Sequence, residues 1–182
     1  MNRSTRGRCA ASMFALALAH AGSTGAQSPP LPAPGTPTCA AAEHRQFDFW
    51  LGEWDVTDGS GKHVGQNRIE SAQNGCALIE HWTGAGGVTG TSLNVYDRDR
   101  AKWHQTWVDN SGGLLQLDGN LAGDAMILTG EAFDAAAPTR SARQRITWTP
   151  RADGRVRQLW ETSQDGGKTW TVAFDGLYAK KR

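Results

Sequence analysis

Long hydrophobic runs are missing from these 182 residues. The longest, residues 9–19 (CAASMFALALA), is 11 residues, and a helix needs about 20 to cross a bilayer core. Charge of one sign is missing too. Lys and Arg number 19 against 18 Asp and Glu, a formal net charge of +1, which leaves no basic field to hold a nucleic acid. Cysteine is scarce, with three in all and no Cys-x-x-Cys or Cys/His cluster at zinc spacing. There is no Gly-x-Ser-x-Gly elbow, no phosphate-cradling loop and no Gly-x-Gly-x-x-Gly between a strand and a helix. The motifs therefore predict no catalytic residue, no metal ligands and no cofactor. Helical periodicity long enough for βαβ crossovers is absent as well, which argues against Rossmann and TIM-barrel folds.

What is present begins with an address. Arg3, Arg6 and Arg8 precede the short apolar run, and small residues follow at Ala19-His20-Ala21 and Thr24-Gly25-Ala26. This is the pattern of a signal peptide over residues 1–26, cleaved after Ala21 or Ala26. Its loss leaves 16 basic and 18 acidic residues, a net charge of −2, so anionic membranes gain no hold on the mature chain. The expected location is periplasmic or secreted. Residues 27–42 open with five prolines in twelve positions (QSPPLPAPGTPT); such a stretch is extended and reads as a linker. Cys39 and Cys76 remain in an oxidising compartment, where a disulfide between them is expected.

The body, residues 43–182, holds 18 of the 22 Gly and all 8 Trp. A short helix is predicted over 43–50, with Phe47 and Trp50 on one face. Strands follow over 51–58, 64–72, 76–84, 90–98, 102–109, 113–120, 125–132, 143–149, 155–163 and 169–178. Turn signals such as Asn74-Gly75, Asp153-Gly154 and Asp165-Gly166-Gly167 separate them. The fold class is all-β, an up-and-down antiparallel barrel of about ten strands with a short N-terminal helix. Closure removes the two unpaired edges of so long a meander. The strands are too short and polar for a transmembrane barrel, which needs a continuous lipid-facing stripe.

Alternation groups Leu78, Glu80 and Trp82 on one face, then Ser92, Asn94 and Tyr96, then Trp103, Gln105 and Trp107. Indoles beside amides and a carboxylate suit a cavity for a small apolar or aromatic ligand. The candidate binding residues are Glu80, Trp82, Asn94, Tyr96, Gln105, Trp107, Arg145 and Trp160. An enzyme, a hydrolase or isomerase using a cavity carboxylate and His, is the alternative. An envelope module for binding other proteins is a third reading. An ion pair of Glu80 with Arg68, Arg145 or Arg157 is expected, with a Glu80–Glu161 carboxylate pair as the other option. Nothing in the sequence fixes the oligomeric state.

Several segments carry a resemblance. The stretch FDFWLGEWDV (47–56) resembles the opening of a bacterial family of exported proteins of unknown function. GCALIEHW (75–82), SLNVYD (92–97), KWHQTWVD (102–109) and FDGLY (174–178) fit it too. The resemblance implies a calycin-like barrel, similar to lipocalins, fatty-acid-binding proteins and nitrobindin, and assigns no catalytic residue. Gly52-Glu53-Trp54 resembles the lipocalin signature, which implies that Trp54 closes the barrel bottom under Arg157 or Arg145. A nitrobindin-like haem site would need an inward histidine, and His81 and His104 are the candidates. Ser163 to Trp170 (SQDGGKTW) resembles the sialidase Asp-box, a hairpin device with no chemistry of its own.

Overall fold

The computed structural model describes residues 39–134 and 137–181. The expected signal peptide, and the linker up to residue 38, lie outside the described residues. The strands are β1 (Gly52–Thr57), β2 (His63–Ala72), β3 (Ala77–Gly84), β4 (Thr89–Asp97) and β5 (Lys102–Asp109), then β6 (Leu114–Ala122), β7 (Ala125–Asp134), β8 (Ala137–Pro150), β9 (Val156–Ser163) and β10 (Thr171–Lys180). Each pairs antiparallel with the next, and β10 pairs with β1, so the sheet closes on itself as a ten-strand barrel. All ten strands sit where turn residues and alternation place them. β8 starts six residues earlier than expected, because it pairs along β7 as far as Asp134.

Alternation sorts the side chains into an interior and an exterior. Inside, β6, β7 and β8 contribute Leu115, Leu117, Met126, Leu128 and Ile146, all buried. The sector from β2 to β5 contributes Asn67, Glu80, Ser92, Asn94 and Gln105, also buried. Buried polar side chains thus concentrate on β2 to β5, with Gln144 and Gln158 opposite them on β8 and β9.

One end is plugged. The short helix takes the form of two 3-10 turns, Ala42–Arg45 and Asp48–Trp50. Phe47 and Trp50 enter the barrel mouth and are fully buried. The Phe47 ring stacks on Trp50 at 5.0 Å and meets Trp103 and Trp148 edge-on at 5.6 and 5.2 Å. Trp54 Nε1 donates to the Trp50 carbonyl at 2.9 Å. The Cys39–Cys76 disulfide ties this segment to the β2–β3 turn across 37 residues.

Trp54 lies at this plugged end, bonded to Trp50, but the cation over its ring is Lys180, at 3.9 Å, not Arg157 or Arg145. The register of β1 on β10 sets Lys180 opposite Trp54. Arg157 instead pairs with Asp175 at 2.7 Å, and Arg145 stacks on Trp170 at 4.0 Å. Lys180→Ala is expected to lower unfolding stability by about 1 kcal/mol, read from urea denaturation.

The 163–170 segment is a hairpin turn between β9 and β10. Asp165 accepts from the Lys168 and Thr169 amides at 2.9 Å and from Thr169 Oγ1 at 2.6 Å. The Thr169 contacts hold its carboxyl well below the usual carboxylate range. Trp170 Nε1 donates to the Gly167 carbonyl at 3.1 Å.

Candidate ligand cavity

The unplugged half of the barrel is hollow. A chamber of about 240 Å³ opens between Trp82, Trp107, Trp160 and Phe174, with Glu80, Gln105, Gln158 and Tyr178 deeper in. A second space of about 330 Å³ lies beside it, toward Ala132, Ala142 and Gln144. Trp107, Asp109, Leu115 and Trp160 line both, so the two spaces meet at these side chains. Each space is near the lower end of small-molecule sites, roughly 300–1,000 Å³.

Close backbone approach makes room for the indoles. A Cβ on Gly90 would lie 2.2 Å from the Trp107 ring, and one on Gly65 would lie 2.6 Å from Trp82. Glycine at these inward positions lets each ring lie flat against the wall. Gly90→Ala is expected to push the Trp107 ring into the chamber. Overpacking of this kind costs about 1–3 kcal/mol, and calorimetric binding of a phenyl-bearing probe should weaken at least tenfold.

A hydrogen-bond chain runs across the polar wall in one direction. Gln105 Nε2 donates to Asn94 Oδ1 at 2.7 Å, and Asn94 Nδ2 donates to Ser92 Oγ at 2.8 Å. Ser92 Oγ then donates to Glu80 Oε2 at 2.6 Å, while Asn67 Nδ2 reaches Glu80 Oε1 at 2.7 Å. On the far side Tyr178 OH donates to Gln158 Oε1, and Trp160 Nε1 donates to Gln144 Oε1 at 2.8 Å. Burial pushes the Glu80 carboxyl up, against the pull of Ser92 and Asn67. Burial also raises the Tyr178 hydroxyl well above its ordinary value, and the nearby Glu80 charge adds to this.

The Glu80 shift sets a pH dependence. A carboxyl raised in the folded state contributes stability that is full below its unfolded value near 4.5 and is lost as pH rises through the folded value. Glu80→Gln removes that titration. Its melting temperature, relative to the native protein, should therefore be a few degrees more favourable at pH 8 than at pH 4 in calorimetric scans.

The structure brings together five of the eight candidate binding residues at the chamber: Glu80, Trp82, Gln105, Trp107 and Trp160. Asn94 stands behind them in the hydrogen-bond chain. Tyr96 lies lower, packed against His44 and Trp103 at 5.3 and 6.1 Å beside the plug. Arg145 is on the outer face, paired with Glu161 at 2.9 Å, because it alternates with the inward Gln144 and Ile146. Two expectations for Glu80 fail for the same reason of parity. Arg68, Arg145 and Arg157 all point outward, to Glu70, Glu161 and Asp175, and Glu161 is outward as well. Sequence reasoning missed Gln158, Phe174, Tyr178 and Trp148, although Gln158 shares the face of Trp160 by simple alternation.

The histidines lie elsewhere. His81 Nε2 meets Glu70 Oε1 at 3.0 Å and His104 Nδ1 meets Asp118 Oδ1 at 2.8 Å, both on the outer face. Neither offers an axial ligand to a haem inside the barrel, and neither forms a dyad with Glu80. No family model and no curated protein matches the chain.

Proposed function

We propose that the protein is an exported, calycin-like carrier that holds a small apolar or aromatic molecule in its barrel, akin to the exported family its motifs resemble. The observation that carries this reading is the chamber itself: half-buried Trp82, Trp107, Trp160 and Phe174 around a polar floor. Aromatic walls supply apolar contact, and a few fixed polar groups orient what binds. Gln105 and Gln158, both on the chamber wall, are each held through one amide atom, Nε2 and Oε1 respectively, which fixes their orientation toward a ligand. Export is supported by the leader pattern and by the Cys39–Cys76 disulfide. Among the described residues no helix is long and apolar enough to cross a membrane.

Native mass spectrometry of protein purified from its own host tests this. A mature chain starting at Gly22 or Gln27 with a small-molecule adduct is expected. A bare chain that also shows no saturable calorimetric binding of phenyl-bearing probes overturns the carrier reading. The protein-interaction reading has one observation in its favour. Leu93, Val108 and Leu114 form a diagonal apolar stripe on the outer wall, each about half exposed or more.

A further inference from the structure

The charges around the chamber are all of one sign. Glu80 stands at its floor and Asp109 at its mouth, and among the described residues no Lys, Arg or His lines either space. Asp109 is satisfied locally, by the Ser111 and Gly113 amides at 2.8 and 3.0 Å and by Ser111 Oγ at 2.6 Å. Glu80 accepts from Ser92 Oγ and Asn67 Nδ2 but is sealed deeper in the barrel. It is 5% exposed, and no cationic side chain meets it inside the barrel.

The hydrogen bonds around Glu80 are set for an acceptor. Ser92 Oγ carries a single proton and already accepts from Asn94 Nδ2, so that proton goes to Glu80 Oε2. Asn67 turns its amide nitrogen to Glu80 Oε1, which leaves Asn67 Oδ1 buried without a partner. Every polar neighbour donates to the carboxyl and none accepts from it. A carboxylate offers about four lone-pair sites, and two are taken by these contacts. A buried carboxylate with no counter-ion is costly, and a wall of indoles attracts cations through the negative faces of its rings.

We infer that the chamber selects a small organic cation, an ammonium group on an apolar or aromatic body, with the ammonium at Glu80 and the body between Trp82, Trp107 and Trp160. This rests on the carrier reading and narrows it from apolar ligands to cationic amphiphiles. The ligand brings the counter-charge that the barrel lacks. Burial holds the Glu80 carboxyl up; an ammonium beside it favours the ionised form. Tyr178 and Asp109 are the other titratable groups on the chamber wall among the described residues.

The test is a charge series on one aromatic body, measured by isothermal titration calorimetry at pH 7.5: phenethylamine, 2-phenylethanol and phenylacetate. Phenethylamine is expected to bind at least tenfold more tightly than 2-phenylethanol, with phenylacetate weakest. Glu80→Gln is expected to abolish the preference for the amine. The series on the unaltered protein decides the matter even if that variant does not fold. Equal or tighter binding of 2-phenylethanol or phenylacetate overturns the cation inference and leaves the carrier reading standing. A folded Glu80→Gln protein that keeps the tenfold preference also overturns it. Binding of none of the three overturns the cation inference, and overturns the carrier reading as well only if the chain from its own host is also bare in native mass spectrometry.

Discussion

Phe47→Ala is expected to cost about 4 kcal/mol of unfolding free energy, the middle of the range for a fully buried aromatic ring. Phe47 has no exposure, and its ring touches Trp50, Trp103 and Trp148, which come from the plug, β5 and β8. No single side chain can swing in to fill the gap, because each of these indoles is held in its own wall. A loss of this size is a large part of the 5–15 kcal/mol that stabilises a typical domain. Urea denaturation followed by circular dichroism measures it. A midpoint that moves by less than a quarter of the expected amount would show that the plug is not part of the core.

Removing the disulfide is the second large effect. The bridge closes a loop of 37 residues, and loop-closure entropy puts its contribution at about 3–4 kcal/mol. The Cys39→Ser, Cys76→Ser protein should melt well below the native one, and dithiothreitol should lower the native midpoint toward it while leaving the variant unchanged. The bridge and the plug act on the same segment. Residues 42–50 run between Cys39 and β1, and Arg45 donates to the carbonyl of Gly75, next to Cys76. Phe47→Ala combined with the cysteine replacements should then depart from additivity, as neighbouring sites do. A melting temperature insensitive to reductant would show that the segment is held by packing alone.

The strand pattern was legible because each turn carries residues that demand one. Asn74-Gly75 is an example, with both residues at positive φ, 56° and 84°. Within β3, β4 and β5 the two faces were legible too, since Leu78, Glu80 and Trp82 alternate with Ile79 and His81, but which face turns inward was not. Depth along the barrel was not. Tyr96 shares a face with Ser92 and Asn94 yet lies beside the plug, because stagger and tilt of the strands decide height and no local pattern encodes them. Arg145 was misplaced for a different reason. Its strand alternates Gln144, Ile146 and Trp148 inward, so parity alone would have put it outside. The cation on Trp54 needed the pairing of the first strand with the last, a contact between residues 126 positions apart.

The uneven exposure of the indoles has an optical consequence. Trp50, Trp54 and Trp103 are sealed from water and should emit at short wavelengths whatever the chamber holds. Trp82, Trp107 and Trp160 face the hollow, and their quantum yield responds to what enters it. The emission spectrum of the unlabelled protein therefore separates into a constant blue component and a variable red one. Time-resolved decay would resolve them, giving an occupancy signal with no dye attached.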